Sequence, residues 1–595
     1  MNNIQGYLVV PFLGCLFFTF PGILFFRNFS GLNTLSKITA VIFISLGFWI
    51  CISWYISWIA FPLNWSAFSL QLVFIAYFVV KNLTNIKQMF SKIDIFGVKK
   101  IPLQYFVLLI FLLLYIIPLF FITIPPGNDT AMHGYITRLI INNNGLPHSY
   151  RPILPVDYFG SYSAGYHVLT ALVGGVSIIW LRDAINFISI FVYPLTLLGF
   201  VFLLMRFFSE KTAIYTALIF FCINTTIEGA IGWGGNSTVL SFGFCLFSIG
   251  FIIYAIQNKL PKALYCSAFS IAAIPLIHAV PAITFVYISI PGYLMLMYHY
   301  RHQFKWIVLN SFILVVSILF LLFPFIVHFK NENSPELLLL IKHWQNEMMG
   351  NKLTNNFWNN LLVTTGQIKY RTGDMLTILS GISLAFLFYF KKYTKIIHIA
   401  IFILFIFLLI FNYGYWVLPF SELLYPDRVV YFMIVCVAFF FGYFLNAIES
   451  RIDIPGILKG KFNFYFLIVS VCICISIGKV FTNYISCLRD NKINCNKSTM
   501  AAFDWINTHT EHDALFIASY ANAGMWIPTF TNRATIGTHL HFIHLVKHIS
   551  DTLNSTNSPR YFFITKRDIN SRSEISGKIK NRAKLFANEA VEIYQ

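Results

Sequence analysis

Residues 103–142 read LQYFVLLIFLLLYIIPLFFITIPPGNDTAMHGYITRLIIN. From Leu103 to Ile124 there is no charged residue, and the run has the length a bilayer core demands of a helix, about 20 residues. Pro125-Pro126-Gly127 then breaks it. Asn128 or Asp129 can cap a second helix running to about Asn142. That second helix mixes Asp, Thr, His and Arg with Ile and Leu, so it belongs at a surface. One stretch therefore holds a membrane span, its end, and an amphipathic helix that begins with an acid.

The rest of the chain extends the pattern. It has 595 residues, 57% hydrophobic, 18% aromatic and only 11% charged, where a soluble domain carries about 25% charged. No single soluble core can hide that much apolar side chain. The composition excludes a cytosolic enzyme and a disordered chain, and predicts a polytopic α-helical membrane protein. Spans are expected near 7–26, 37–61, 64–80, 103–124, 184–206, 211–227, 236–257, 263–278, 281–298, 306–328, 372–390, 394–411, 427–446 and 462–482, about fourteen in all. The run at 166–181 is short and is expected to dip into the membrane rather than cross it.

Charge sets the orientation. The net charge is +19, and no basic stripe with aromatic platforms accompanies it, so nucleic acid is not an expected partner. Membrane lipids are: basic residues hold loops in the cytoplasm and meet anionic headgroups. With the N-terminus outside, Arg27, Lys37, Lys81, Arg206, Lys211, Lys259, Lys262, Arg301, Lys305, Lys391, Lys392 and Arg451 all fall on the cytosolic side. Both long loops, 125–165 and 329–371, then lie outside, as does everything after 482. The first span has no basic n-region or small-residue cleavage site and reads as a retained helix.

Three parts are expected: a multi-pass domain over 1–482, a linker over 483–497, and an outer α/β domain over 498–595 whose last 25 or so residues are loosely ordered. Met500–His509 has helical spacing with Ser498 as cap candidate, and His539–Leu553 reads as another helix. Ala514–Ser519 and Arg560–Thr565 read as buried strands. Eight of the ten cysteines lie in expected spans. Cys487 and Cys495 lie outside them, either disulfide-bonded or as two thiols.

Acids are scarce enough to be informative. Before residue 331 there are six: Asp94, Asp129, Asp157, Asp183, Glu210 and Glu228. Asp129 and His133 are four apart and share one helix face. At a membrane surface such a pair could activate a hydroxyl nucleophile as general base. An Asp cap with a surface His is the other reading. Glu228, in IEGAIGWGGNST, stands beside glycines that permit close approach of a ligand, and Asn236 could cap the helix that follows. His278, in PLIHAVPA, is an ionisable group between two apolar helices, either functional or a satisfied structural histidine. Arg428, in SELLYPDRVVYF, offers a planar fork suited to a lipid phosphate, or pairs with Asp427 or Glu422.

Taken in order, these segments resemble the GT-C superfamily of integral-membrane glycosyltransferases, the group of protein O-mannosyltransferases and oligosaccharyltransferase catalytic subunits. The likeness runs from about 103 to 540. It rests on Asp129 just past a span, on ITRLIINNNGLPHSYRPILP and YFGSYSAGYHVLTALVGG, and on Gly234-Gly235-Asn236. LIHAVPA around His278, Tyr425-Pro426-Asp427-Arg428, and the tail segments AAFDWINTHTEHDALFIAS and GMWIPTFTNRATIG complete it. Three spans precede the family's usual first one. No WWD-type motif occurs, so transfer to asparagine is not expected.

The resemblance implies a polyprenyl-phosphate-linked sugar as donor and a hydroxyl acceptor on a glycan, a lipid or a protein. Asp129 would be catalytic base with His133 assisting, and Arg428 would bind the donor's lipid phosphate. Glu228, Asn236 and His278 would line the cavity. No acidic pair for a divalent metal follows Asp129, so no cofactor is predicted and metal dependence is left open. A bacterial plasma membrane is the expected location, from an Asn-, Lys- and Ile-rich composition typical of an AT-rich genome. Competing readings are a transporter or flippase of lipid-linked glycans, which explains the spans but not an outer α/β domain, and a glycan polymerase or ligase of another fold.

Overall fold

The computed structural model describes residues 4–91, 102–120, 122–151, 162–223, 232–332, 374–389, 393–412, 426–451, 495–519, 522–536, 559–570 and 579–595, with single positions at 159, 418, 424 and 478. Helices α1 (Ile4–Thr19), α2 (Thr34–Trp58), α3 (Leu63–Ser91) and α4 (Leu103–Phe120) come first. The amphipathic α5 (Asn128–Asn143) and the short α6 (Gly165–Val173) follow. Then come α7 (Leu181–Leu204), α8 (Glu210–Ile223), α9 (Asn236–Gln257), α10 (Pro261–Ile277), α11 (Ala279–His299) and α12 (Phe304–Glu332). Helices α13 (Asp374–Tyr389), α14 (Tyr393–Asn412) and α15 (Pro426–Arg451) complete the bundle.

Among the described residues, eight helices are long and apolar enough to cross a membrane, and three shorter ones are apolar. The expected span at 462–482 lies outside the described residues apart from Gly478. Helix α6 has nine residues. At 1.5 Å per residue it reaches about 13 Å, under half a bilayer core, so the 166–181 run does not cross. Helix α9 is the bundle's centre, buried on nearly every side against α7 and α10. Small residues make that packing close: a Cβ on Gly243 would sit 3.0 Å from the Thr196 backbone, and one on Gly250 would sit 2.9 Å from that of Leu203. Lipid offers no hydrophobic drive between helices, so close backbone contact supplies the attraction instead. The outward faces of α3 and α12 carry exposed Leu72, Val80, Phe312 and Phe320, as lipid-facing surfaces do.

The C-terminal unit is a five-stranded sheet. Its strands are β1 (Leu515–Ala518), β2 (Ala534–Ile536), β3 (Arg560–Thr565), β4 (Lys584–Ala587) and β5 (Val591–Tyr594), in the order β2-β1-β3-β5-β4. Strand β1 runs parallel to β2 and β3, while β5 is antiparallel to β3 and β4. The strands expected at 514–519 and 560–565 are present, and the helix expected at 500–509 is Lys497–His509. Its cap is Asn496 rather than Ser498: the Asn496 Oδ1 accepts from Thr499 N at 2.9 Å.

The expectation of a loosely ordered tail is corrected. Residues 584–594 form a hairpin, and Val591 and Ile593 are buried against the rest of the sheet. Their alternation with Glu592 is the period-2 signature of a half-buried strand. The helix expected at 539–553 and the linker up to 494 lie outside the described residues, as does Cys487. Cys495 is buried.

Candidate active site

The site is assembled where α5 meets the turn before α9. Gly127, not Asn128 or Asp129, is the N-cap of α5, at φ +103°, and it makes no side-chain cap bond. The reason is space. A Cβ on Gly127 would lie 2.3 Å from Gly234 N, and one on Gly234, at φ +101°, would lie 2.5 Å from Thr130 N. Two glycines with positive φ thus let two backbones touch where no other residue fits. Asp129 stands in the first turn of α5, where the helix dipole favours a negative charge.

His133 points inward from the next turn and is buried. Its Nε2 lies 3.0 Å from the Gly234 carbonyl oxygen, and its Nδ1 lies 2.9 Å from His167 Nε2. Burial pushes the imidazole down to about 4, against a weaker opposing pull from Asp129, so at neutral pH the ring is uncharged. A carbonyl only accepts, so His133 Nε2 carries the proton and donates to Gly234 O. Its Nδ1 then accepts from His167 Nε2–H. Both nitrogens of His133 are engaged in the interior, and the residue braces the contact between α5 and the 234 turn.

Arg428, at the start of α15, reaches the same place. Its Nη1 lies 3.1 Å from His278 Nε2, and its guanidinium lies 5.1 Å from the centre of the Trp233 ring. His278 joins α10 to α11, ending one helix and capping the next by accepting from Val280 N at 3.2 Å. Tyr162, just before α6, is raised by burial first and then by the negative charge of Asp129, with Arg428 opposing. Asp129 and Arg428 both act on His133, Tyr162 and His278. A Cβ on Gly234 would lie 2.9 Å from Asp129 Cβ, and Arg428 rests on the adjacent Trp233, so an acid and a guanidinium 299 positions apart in the chain flank one turn.

Asn236 does not cap α9: the N-cap is Gly235, and the Asn236 amide donates to Ser189 Oγ at 3.1 Å. Ser189 in turn meets the Tyr166 hydroxyl at 3.2 Å. This polar thread ties α6, α7 and α9 together beneath the site. Glu228 lies outside the described residues, as do Tyr425 and Glu422. Among the described residues, no three His, Cys, Asp or Glu side chains gather as metal ligands.

Tyr162, His167 and Trp233 belong to the site but were not singled out from sequence. His167 lies inside an apolar run, where any ionisable group is a candidate by default. Trp233 is an aromatic among glycines, and nothing in its local pattern announces a cation over its ring.

The C-terminal sheet domain rests on the same helix. A Cβ on Gly134 would meet the Trp526 ring at 2.8 Å and Thr529 Cγ2 at 2.9 Å. Arg138 Nη1 donates to Thr529 O at 3.2 Å, and Asn142 Nδ2 donates to Asn532 Oδ1 at 2.9 Å.

No family model and no curated protein matches the sequence. In structure the chain is similar to ArnT from Cupriavidus metallidurans, in the apo state and bound to undecaprenyl phosphate. Each of the two comparisons has a TM-score of 0.49 at 11% identity, over 82% of this chain and 97% of that one. It is also similar to the Archaeoglobus fulgidus oligosaccharyltransferase crystallised with zinc and sulfate, with a TM-score of 0.46 at 12% identity, over 78% of this chain and 68% of that one.

Proposed function

We propose that this chain is a GT-C-type membrane glycosyltransferase, moving a sugar from a polyprenyl-phosphate donor to a hydroxyl acceptor at the non-cytoplasmic face of a bacterial plasma membrane. The observation that carries the reading is that Asp129 and Arg428 flank one turn: a Cβ on Gly234 would lie 2.9 Å from Asp129 Cβ, and the Arg428 guanidinium lies 5.1 Å from the ring of the adjacent Trp233. The order of sequence motifs that brings those residues together supports it. So does the place of Arg428 at the outset of the apolar segment 428–447, where a lipid headgroup would lie.

The chemistry follows from the two charges. Asp129 takes the proton of the acceptor hydroxyl. The oxygen attacks the anomeric carbon from the side opposite the lipid phosphate. The bond from that carbon to the phosphate oxygen breaks, the phosphate leaves with the electron pair, and the sugar inverts. Arg428 lies where that negative charge develops, which is where a fixed cation lowers a barrier. His133 positions: it holds α5 against the 234 turn and so fixes the base. The outer domain, docked on α5 through Trp526 and Thr529, lies beside the acceptor's approach.

The testing experiment is transfer in vitro. Purified full-length chain, in detergent or nanodiscs, is given a radiolabelled polyprenyl-phosphate sugar and a membrane extract as acceptor source. Label moving from lipid to a new product in a manner that needs Asp129 supports the reading. Donor left intact across a panel of sugars and acceptor extracts sinks it.

A further inference from the structure

Tyr162 is half-buried, while Phe159 before it and Ser163 to Tyr166 after it are buried. The surface it keeps therefore opens on an internal space rather than on bulk solvent. Its ring is held from two sides: the Phe159 ring crosses it edge to face at 6.3 Å, and the His167 ring lies at 5.5 Å. Its hydroxyl hydrogen-bonds to nothing among the described residues, Asp129 included, and it is not sealed in as the hydroxyl of Tyr135 is. The next tyrosine differs, since Tyr166 meets Ser189 Oγ at 3.2 Å. Tyr162 thus offers an unengaged hydroxyl, on a fixed ring, to an enclosed space.

Two contacts place that space. On one side His167 meets His133 at 2.9 Å, one turn along α5 from Asp129. On the other, Ser163 Oγ donates to Pro275 O at 2.7 Å, three residues before His278, whose ring stands 3.1 Å from Arg428. Tyr162 therefore stands between the acid and the guanidinium. Burial first, and then Asp129, keep its phenol protonated, with Arg428 opposing. In the proposed reaction, attack and departure take opposite sides of the anomeric carbon, so the sugar lies between the base and the leaving phosphate. We infer that the Tyr162 hydroxyl binds the transferred sugar, through a hydrogen bond to one of its hydroxyl groups. A neutral O–H that both donates and accepts matches a sugar hydroxyl, which does the same. A phosphate calls for a charged donor, which Arg428 supplies. A few such fixed polar groups orient a ligand in its pocket. The inference rests on the function proposed above and adds to it a residue that selects among sugars.

Tyr162→Phe removes the oxygen and keeps the ring with its packing. Affinity of the purified full-length chain is measured for polyprenyl phosphate and for polyprenyl phosphate bearing glucose, mannose or N-acetylglucosamine. It is also measured for the monodeoxy forms of whichever sugar is held most tightly, beside melting curves. The Phe variant is expected to melt close to wild type and to bind the bare polyprenyl phosphate equally well. It is expected to bind the sugar form roughly threefold to tenfold more weakly, the weight of one hydrogen bond. One monodeoxy form should bind wild type and variant alike, because the contact that the variant would lose is already gone.

Equal affinity of wild type and variant for every sugar form overturns the inference, and so does an equal loss for the bare and the sugar-bearing lipid. A loss that persists across all monodeoxy forms also overturns it, since the partner is then no sugar hydroxyl. A variant that melts far below wild type does the same, because an oxygen bonded only to substrate does not hold the fold. In each of these cases wild type still binds polyprenyl phosphate, and the proposed function stands without Tyr162. Wild type that binds neither the bare nor the sugar-bearing lipid overturns both.

Discussion

Gly127 and Gly234 meet backbone to backbone, each at a φ near +100° and each with no room for a methyl group. The contact seats the first turn of α5, and with it Asp129, on the turn that carries Trp233. Alanine at either position meets two penalties, left-handed strain and a clash with backbone that cannot swing aside. Gly234→Ala should cost about 1–3 kcal/mol of stability and most of the turnover. The check is a melting curve with a transfer assay. A variant with wild-type activity would show that the two segments need not touch.

Asp129→Asn keeps the size of the side chain, and because the helix cap is Gly127 it removes no cap. Expression and melting temperature should stay near wild type while transfer falls by roughly 10²–10⁴-fold, the usual weight of a general base. Full activity in a stable Asn variant would remove Asp129 from the mechanism.

Arg428→Ala should weaken binding of a polyprenyl phosphate by roughly tenfold or more, with Lys restoring part of it as a point charge lacking the planar fork. Isothermal or fluorescence titration reads this directly. Equal affinity in all three proteins would assign the guanidinium to packing on Trp233.

His133 predicts a pH dependence of stability. Its folded value of about 4 lies below the ordinary histidine value near 6.5. Between those limits the unfolded chain binds a proton that the folded chain refuses, so stability falls as pH drops from about 6.5 towards 4. One proton corresponds to at most about 1.4 kcal/mol per pH unit. Replacing His133 with Gln, which cannot titrate, should flatten melting temperature between pH 7 and 5 relative to wild type. Parallel slopes would mean that the ring is charged in the folded protein.

Orientation has its own test. Cysteines at the exposed positions Asn143 and Glu589 should both react with an impermeant thiol reagent in intact cells, and one at Arg301 should not. Labelling at 301 would reverse the charge-based topology.

The helices were legible because a bilayer demands long apolar runs, and α9 coincides with its expected bounds at 236–257. The hairpin at 584–594 was missed because its short strands are set among charged residues, and only the Val591–Ile593 alternation marks it. Caps were misplaced by one or two positions at Gly127, Gly235 and Asn496. There the deciding factor was backbone approach from a distant segment or a choice between adjacent polar residues. Candidate residues could be named one at a time. Their pairings could not, since His133 with Gly234 spans 101 positions and Arg428 with His278 spans 150, and no local period reports on such distances.

The far end of α5 carries a last consequence. Asn144, just past the helix, accepts through its carbonyl from Leu63 N at 2.7 Å, and its side chain exchanges hydrogen bonds with Asn64. Leu146 N donates to Ser57 Oγ at 3.0 Å. Two of the three helices that come before the expected catalytic segment, α2 and α3, thus grip the strut on which Asp129 is mounted. They act as a buttress rather than an appended anchor. Loosening the joint at residues 57–64 would be felt some 24 Å away (sixteen residues of helix at 1.5 Å each), as play at the acid rather than as loss of the fold.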